Sequence, residues 1–280
     1  MRILVTGGSG YLGTHVLTFF AAEDFSRRSG FDILDDEAVK KVADYEAVIH
    51  LAAHFDKSPE GARQCFRTNA EGTANVLRNM QPGSTFIYAS TKDVYGSNAD
   101  GFEFVDESTS TKYSGQSAFE WSKLLGERYV EYYARQRDIR ACIFRLSTVF
   151  ARPSEGNEFG VVTHYVESVK NRAPIRLPAA GDPVRDILYV DDFSRACKKF
   201  FRSDKKFGLY NLGGGRRNTT SLRQLIRQIG EIISIQPVIE EDRAIPLPVP
   251  LRYASDIGRA EDELGWRPQV GIEDGLQLIL

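Results

Sequence analysis

The chain has 280 residues, 42% of them hydrophobic and 26% charged, with a formal net charge of -2. This length can bury one large core, or a main domain with a smaller lobe attached. The near-neutral charge balance provides no long-range field that would attract nucleic acid or an anionic membrane surface, so neither partner is expected.

The cysteines and the apolar runs point to a cytoplasmic protein. Cys65, Cys142 and Cys197 are far apart and lack disulfide or metal-ligand spacing, which favours buried, reduced thiols and predicts no metal site. No apolar run approaches the roughly 20 residues that span a bilayer. The chain passes from Met1 directly into a predicted strand, so we expect no signal peptide.

Short apolar runs alternate with amphipathic stretches, a pattern typical of a parallel sheet covered by helices. Strands are predicted at 2–6, 47–52, 85–90, 141–147, 186–190 and 209–212. Helices are predicted at 14–22, 37–43, 62–80 and 118–135. Ser117 and Glu120 can form a capping box at the last of these helices. Its inward face is expected to carry Trp121, Leu124, Leu125, Arg128 and Tyr132.

The expected fold is a doubly wound parallel α/β sheet (Rossmann) with a smaller C-terminal substrate lobe. Residues 1–150 would form the dinucleotide-binding domain, and strands near 186–192 and 209–212 would return to its sheet. Residues 151–280 would form mainly the lobe, because prolines and glycines interrupt this half of the chain.

A glycine-rich loop joins the first predicted strand to the first predicted helix. Gly7 permits the tight turn, Gly10 allows the backbone to approach a pyrophosphate, and Gly13 lets the helix pack close to the sheet. Amide groups at the start of the helix would face the phosphates. Together, the loop and its flanking elements predict binding of a dinucleotide.

The sequence leaves open whether the cofactor is NAD or NADP. Asp32 lies at about the spacing expected for the acid that binds the ribose of NAD. Residues 23–26 could instead be the second strand, whose end would carry Arg27 and Arg28. Arginines at that place would suit the 2′-phosphate of NADP.

Nine segments of the chain resemble the extended short-chain dehydrogenase/reductases that act on nucleotide sugars. They are residues 6–13, 32–33, 50–53, 69–73, 90–96, 145–150, 185–192, 211–215 and 264–268. The likeness within this epimerase/dehydratase group is greatest to members of the CDP-paratose/CDP-tyvelose 2-epimerase and UDP-glucose 4-epimerase types. The resemblance implies cofactor contacts from Gly7, Gly10, Tyr11, Leu12, Gly13, Asp32, Ile33, Leu51, Ala52, Ala53, Asn69, Ser90, Lys123 and Leu146. It implies substrate contacts from Thr91, Thr148 and Arg185, and Arg252 is a second candidate to bind the substrate diphosphate.

The family resemblance also implies a catalytic tyrosine four residues before a lysine, beside a serine or threonine. Lys123 and Thr91 occupy two of these positions, but Phe119 occupies the position of the tyrosine. A phenyl ring cannot carry a proton, and losing a general base typically costs about 10²–10⁴ in rate. Three interpretations stay open: an engineered variant, a natural enzyme with another base such as Tyr113, or a protein that binds cofactor without turnover.

We expect an NAD(P)-dependent epimerase of nucleotide-diphosphate sugars that transiently oxidises a sugar hydroxyl, working as a homodimer through helices 62–80 and 118–135. The alternatives are a nucleotide-sugar reductase, a 4,6-dehydratase, or a catalytically impaired dinucleotide-sensing protein. Lys92-Asp93 stands where similar dehydratases have Asp-Glu, and a lysine cannot replace that acid in the same way.

His15 and His50 are predicted to be structural, and His54 lacks a partner that would make it a base.

Overall fold

The computed structural model describes residues 1–153, 160–178 and 182–280. Within these ranges six parallel strands form the main sheet, in the order β2-β1-β3-β4-β5-β9 with strands numbered along the chain. The strands are β1 (Ile3–Thr6), β2 (Glu23–Phe25), β3 (Ala47–His50), β4 (Thr85–Thr91), β5 (Arg140–Leu146) and β9 (Phe207–Leu212). Nearly all residues of the central strands are buried, as expected for a parallel sheet covered on both faces. The predicted doubly wound sheet is therefore confirmed.

Helices cover both faces of the main sheet. On one face, α1 (Gly13–Phe20), α6 (Val190–Arg202) and α8 (Gly258–Leu264) pack against alternate strand residues. On the other face lie α3 (Thr73–Asn79) and α4 (Ala118–Gln136). A 3-10 helix, Ala38–Asp44, extends this second layer, and α2 (Ala62–Cys65) reaches α3 through the π-helical turn Phe66–Gly72.

The C-terminal lobe has its own core and its own small sheets. Among the described residues, β6 (Thr148–Phe150), β8 (Val184–Tyr189) and β10 (Thr219–Ser221) form one sheet in the order β10-β8-β6. A second sheet pairs β7 (Ile175–Pro178) with β11 (Ile239–Asp242). The lobe helices are α5 (Val161–Lys170), α7 (Leu222–Ile233) and α9 (Ile272–Ile279).

One of the two strands expected to return to the main sheet does not do so. The segment near 209–212 belongs to β9 and pairs with β5, as predicted. The segment near 186–192 was assigned wrongly: β8 ends at Tyr189 and pairs with β6 and β10 in the lobe, and Val190 begins α6. Its antiparallel partner β10 lies more than thirty positions away in sequence, as the Asp186–Thr219 pairing shows, and local periodicity carries no information about such a pairing.

Helix α4 begins as predicted but buries a different face. The side chain of Ser117 accepts a backbone hydrogen bond, and Glu120 completes the capping box. Of the predicted inward face only Leu124 is buried; Trp121 and Leu125 are 40% and 39% exposed, and Arg128 and Tyr132 are also exposed. The buried positions form another stripe, and they are Phe119, Glu120, Ser122, Lys123, Leu124, Gly126, Glu127, Val130 and Ala134. This stripe is partly charged because Glu127 has a buried partner, so apolar spacing alone identified the wrong side.

In the part of the chain that the structure describes, none of the helices combines the length and apolar character needed to cross a membrane.

Candidate active site

A cleft opens at the carboxyl ends of β1 and β3, where the connections from the sheet diverge. The chain leaves β1 toward β2 on one side, while β3 lies on the other, and such a switch point is the usual ligand site of open parallel sheets. The cleft has a volume of about 270 Å³. Its lining brings together the predicted residues Gly7, Gly10, Arg27, Arg28, Asp32, Ile33, Leu51, Ala52 and Ala53. It also includes residues that the sequence analysis missed: Ser26, Phe31, Gln64 and Thr68.

The glycine loop requires glycine for two different geometric reasons. Gly7 has a φ of 70°, and a Cβ there would lie 2.7 Å from the backbone nitrogen of Ala52. A Cβ at Gly13 would lie 2.2 Å from the carbonyl oxygen of Gly7, so only glycine lets α1 begin against the loop. Both contacts lie within the protein, so these two glycines fix the tight strand-to-helix turn, and a turn of this shape fits a dinucleotide.

The second strand is the short segment that ends at Phe25, and this resolves one ambiguity of the sequence. Val5 pairs with Asp24 in parallel, and the amide of Gly7 donates to the carbonyl of Phe25 at 2.9 Å. Ser26 then caps a short helical turn that carries Arg27 and Arg28 into the cleft. Asp32 therefore does not end the second strand, although it lines the same cleft.

Tyr11 and Leu12 connect the glycine loop to the C-terminal lobe. The Tyr11 hydroxyl donates to the carbonyl of Ala151 at 3.0 Å, accepts from the amide of Ala151 at 2.8 Å, and pairs with the hydroxyl of Thr163 at 2.9 Å. Leu12 packs against the apolar core of the lobe. Both residues therefore join the two parts of the molecule next to the dinucleotide loop.

Three of the predicted cofactor residues lie behind the surface of the cleft. Asn69 is fully buried, and its amide nitrogen donates to the carbonyl of His54 and to the Ser122 hydroxyl, both at 2.9 Å. The hydroxyl of Ser90 donates to Glu127 at 2.6 Å. Leu146 is buried in the core below the sheet edge. Of the three, Asn69 supports the cleft from inside, because it bonds His54, which lines it.

The expected catalytic residues lie at the end of β4 and in the first turns of α4. Phe119 is 5% exposed, and its ring meets the ring of Phe55 edge-on, with centroids 4.7 Å apart. Lys123 follows one turn later on the buried side, with its ammonium 4.7 Å from the centre of the Tyr88 ring. Burial lowers the pKa of Lys123 to about 8, although the charge of Glu127 opposes this shift. The hydroxyl of Thr91 accepts from the amide of Asp93 at 3.2 Å.

A chain of charges crosses the same region and was not predicted from the sequence. The ammonium of Lys57 lies 2.9 Å from a carboxylate oxygen of Asp93 and 2.7 Å from one of Glu120. The other oxygen of Asp93 is bonded by the ammonium of Lys92. Burial raises the pKa of Asp93, but the two lysines outweigh this effect and hold it well below its usual value.

A buried ion pair lies one helical turn beyond Lys123. Arg145 bonds Glu127 through two nitrogens, at 3.0 and 2.7 Å, and a third donates to the Tyr95 hydroxyl at 3.0 Å. Side chains of this pair are only 4% and 3% exposed. Burial lowers the pKa of Arg145, but Glu127 outweighs this effect and the pKa lies above its usual value.

The predicted substrate residues are distributed along the edge of the lobe. Arg185 is buried, and its guanidinium donates to the carbonyls of Val184, Pro250 and Leu251 at 2.7 to 2.9 Å. The backbone amide of Arg252 donates to Asp100, and Thr148 begins β6. The two arginines are adjacent in the fold, since Val184 forms a bridge with Arg252. The role of all three in binding substrate stays a prediction.

The histidines and Tyr113, the alternative base, differ in burial and in their contacts. His50 is fully buried between the hydroxyls of Thr6 and Thr73, at 2.7 and 3.0 Å, and burial lowers its pKa to about 3. His15 bonds the carbonyl of Arg152 at 2.9 Å, and His54 lines the cleft. Tyr113 is 72% exposed, before the cap of α4.

The chain is similar to proteins of a known family. A model of the NAD dependent epimerase/dehydratase family matches residues 3–213. The chain belongs to this family. A putative UDP-glucose 4-epimerase from Methanocaldococcus jannaschii is 29% identical, with 99% of this chain and 97% of the relative covered. A dTDP-glucose 4,6-dehydratase from Mycobacterium tuberculosis is also 29% identical, with coverages of 99% and 91%.

Solved structures of family members superpose on the whole fold. The UDP-glucose 4-epimerase of Thermotoga maritima with UDP-glucose has a TM-score of 0.82 and 26% identity, covering 100% of this chain and 97% of that one. The UDP-glucose 4-epimerase of Thermus thermophilus in complex with NAD has a TM-score of 0.82 and 25% identity, with the same coverages. RMD from Pseudomonas aeruginosa, complexed with NADPH, has a TM-score of 0.80, 23% identity, and coverages of 100% and 98%. The expected resemblance and cofactor class are confirmed.

Proposed function

We propose that this protein is an NAD(P)-dependent epimerase of nucleotide-diphosphate sugars. The observation that supports this most is the packing of α4 on β4: the Lys123 ammonium lies over the Tyr88 ring of the strand that ends at Thr91. The relatives of this chain also include a putative UDP-glucose 4-epimerase. Oxidation of a ring hydroxyl, reorientation of the sugar, and return of the hydride to the other face would leave no net redox change.

Each group has a distinct part in this proposal. The glycine loop from Gly7 to Gly13 would receive the pyrophosphate, and Lys123 would contact the cofactor. The cofactor, when bound, supplies a reversible acceptor for hydride. Thr91 would orient the sugar oxygen at the end of β4. Arg252 is the preferred candidate to bind the substrate diphosphate. The guanidinium of Arg185 already donates hydrogen bonds to three backbone carbonyls.

The test is incubation of the purified chain, supplied with cofactor, with UDP-, dTDP-, CDP- and GDP-sugars. The expected result is a second sugar epimer, separated by chromatography, without net consumption of cofactor. Failure of every nucleotide sugar to epimerise in this chain and in its Phe119→Tyr variant would contradict the proposal.

Two observations favour other functions, and the same assay separates them. Arg27 and Arg28 in the cleft favour a reductase that uses NADPH, which would consume reduced cofactor in proportion to product. Phe119 favours a dinucleotide-sensing protein, which would bind cofactor tightly and convert no sugar. A 4,6-dehydratase would release a keto sugar. This function is disfavoured because Lys92 occupies the position of the acid that similar dehydratases use.

We predict that NADP binds more tightly than NAD because of the two arginines. Charge-assisted hydrogen bonds contribute about 1.5–3 kcal/mol each, and roughly 1.4 kcal/mol is a tenfold change in affinity. Replacing both Arg27 and Arg28 with alanine should weaken NADP binding by about 10- to 100-fold and change NAD binding by less than about 3-fold. Calorimetric titration measures both constants, with Arg135→Ala on the exposed end of α4 as the control. Equal losses for the two cofactors would contradict the prediction.

We further propose a cytoplasmic homodimer that pairs through the helical segment 62–80 and through α4. Phe66, Trp121 and Leu125 are 38 to 40% exposed and line one apolar groove on this face. The three cysteines are buried free thiols, which suits a reducing compartment. Sedimentation should show a dimer that Trp121→Asp converts to a monomer, whereas Phe19→Asp on the opposite layer leaves it dimeric. A monomeric parent chain would contradict this arrangement.

A further inference from the structure

The absence of a phenol at residue 119 leaves the proton of the substrate hydroxyl without its usual acceptor. Side chains that could replace it must lie at the end of β4, near the hydroxyl of Thr91. Lys92 is the next residue along the chain, and its side chain is only 8% exposed. Its ammonium bonds Asp93, which also bonds Lys57, and the Lys57 ammonium lies 6.0 Å from the centre of the Phe119 ring.

The ammonium group of Lys92 is buried between a carboxylate and an aromatic ring. Its ammonium bonds Asp93 and lies 5.4 Å from the centre of the Tyr253 ring. Burial lowers the pKa of Lys92, Arg185 and Lys57 lower it further, and Asp93 opposes the shift. A lysine in such a setting can gain and lose a proton closer to neutral pH than an exposed one.

Asp93 is shared by two lysines, and this arrangement fixes its position. Lys57 contacts Asp93 at 2.9 Å and also contacts Glu120, beside Phe119 on α4. The link therefore runs from Lys92 through Asp93 and Lys57 to Glu120, in the first turn of the helix that carries Phe119. The Lys57 side chain is 41% exposed, so this end of the link reaches solvent.

We propose that Lys92 is a catalytic residue that exchanges the proton of the substrate hydroxyl in place of the phenol absent at residue 119. In oxidation, the O–H proton passes to the neutral Lys92 amine, the C–H hydrogen leaves as hydride for the nicotinamide, and the carbonyl forms. In the return step the Lys92 ammonium donates the same proton to the alcohol oxygen as hydride adds to carbon. Asp93 and Lys57 are positioning residues. The inference rests on the proposed function.

The alternative base at Tyr113 fits the structure less well. Its side chain is 72% exposed, and it lies in the loop before α4 rather than at the end of β4. Lys123 is assigned to the cofactor by the family resemblance, and its ammonium lies over the ring of Tyr88. Lys92 is a buried amine that these assignments leave unused, whereas the Lys57 side chain is 41% exposed.

The test is a double-mutant cycle between positions 92 and 119. Lys92→Ala should lower kcat by about 10²–10⁴ in the parent chain, the typical contribution of an acid–base group. In the Phe119→Tyr background the same change should cost less than about 10-fold, because the phenol then carries the proton. Lys40→Ala, at an exposed lysine, is the matched control.

Two further readouts separate chemistry from structure. Methylamine added to Lys92→Ala should restore part of the lost rate in the Phe119 background only. Sugar oxidation by the parent should accelerate with rising pH as Lys92 loses its proton, and this dependence should disappear in Lys92→Ala. Calorimetric affinity of the variant for the nucleotide sugar should stay within about 3-fold of the parent, as expected when a group acts on the reaction rather than on binding.

The outcomes distinguish this inference from the proposed function. Equal losses in both backgrounds without rescue by methylamine would assign Lys92 a structural role and overturn the inference. Activity that appears only after Phe119→Tyr would overturn it as well, while leaving the epimerase function intact. Inactivity of both backgrounds on every nucleotide sugar would instead reject the function on which the inference rests.

Discussion

Replacing Phe119 with tyrosine is expected to raise the epimerase kcat by about 10², the low end of the contribution of a general base. The backbone needs no adjustment, because Ser117 and Glu120 already cap α4 and place residue 119 one turn before Lys123. The new hydroxyl would lie on the same helix face as the Lys123 ammonium, whose charge favours the phenolate. Steady-state kinetics on the sugar identified by the panel measures the gain.

The size of the gain in kcat also shows whether another group already transfers the proton in the parent chain. An increase near 10⁴ would mean that no other group carries the proton in the parent, and would weaken the assignment of Lys92. No increase at all would mean that residue 119 does not face the substrate. Phe55→Tyr is the matched control, since Phe55 meets the same ring but is 69% exposed on the outer side.

Features that depend on the local backbone could be predicted from the sequence. The loop at Gly7 and Gly13 was predictable because its positive φ and its close backbone approach exclude other residues. The cap of α4 was predictable because Ser117 and Glu120 are three residues apart. The alternation of strands and helices followed in the same way from short-range periodicity.

Features that depend on distant pairing could not be predicted. Lys57 meets Asp93 across 36 positions, and only the fold brings β3 and β4 side by side for that contact. Strand β8 has the composition of a main-sheet strand, yet its partners β6 and β10 are lobe segments. The wrong face of α4 has the same origin, since the buried polar stripe requires a partner on β5 that the helix sequence does not reveal.

Arg145→Met is expected to destabilise the fold by about 3–5 kcal/mol, because it leaves Glu127 charged, buried and without its partner. Glu127 would keep one strong contact, the Ser90 hydroxyl at 2.6 Å, which cannot replace two bonds from a guanidinium. The Tyr95 hydroxyl would lose its donor at the same time. Urea unfolding measures the loss as a lower midpoint at an unchanged slope.

The double variant Arg145→Met with Glu127→Leu tests whether the loss comes from the orphaned charge. Removing both partners of a buried pair is often close to neutral, so much of the stability should return. The same double variant should lower the pKa of Lys123 further, because Glu127 raises it in the parent chain. A double variant as unstable as Arg145→Met alone would show that packing around Arg145, rather than its charge, stabilises this part of the sheet.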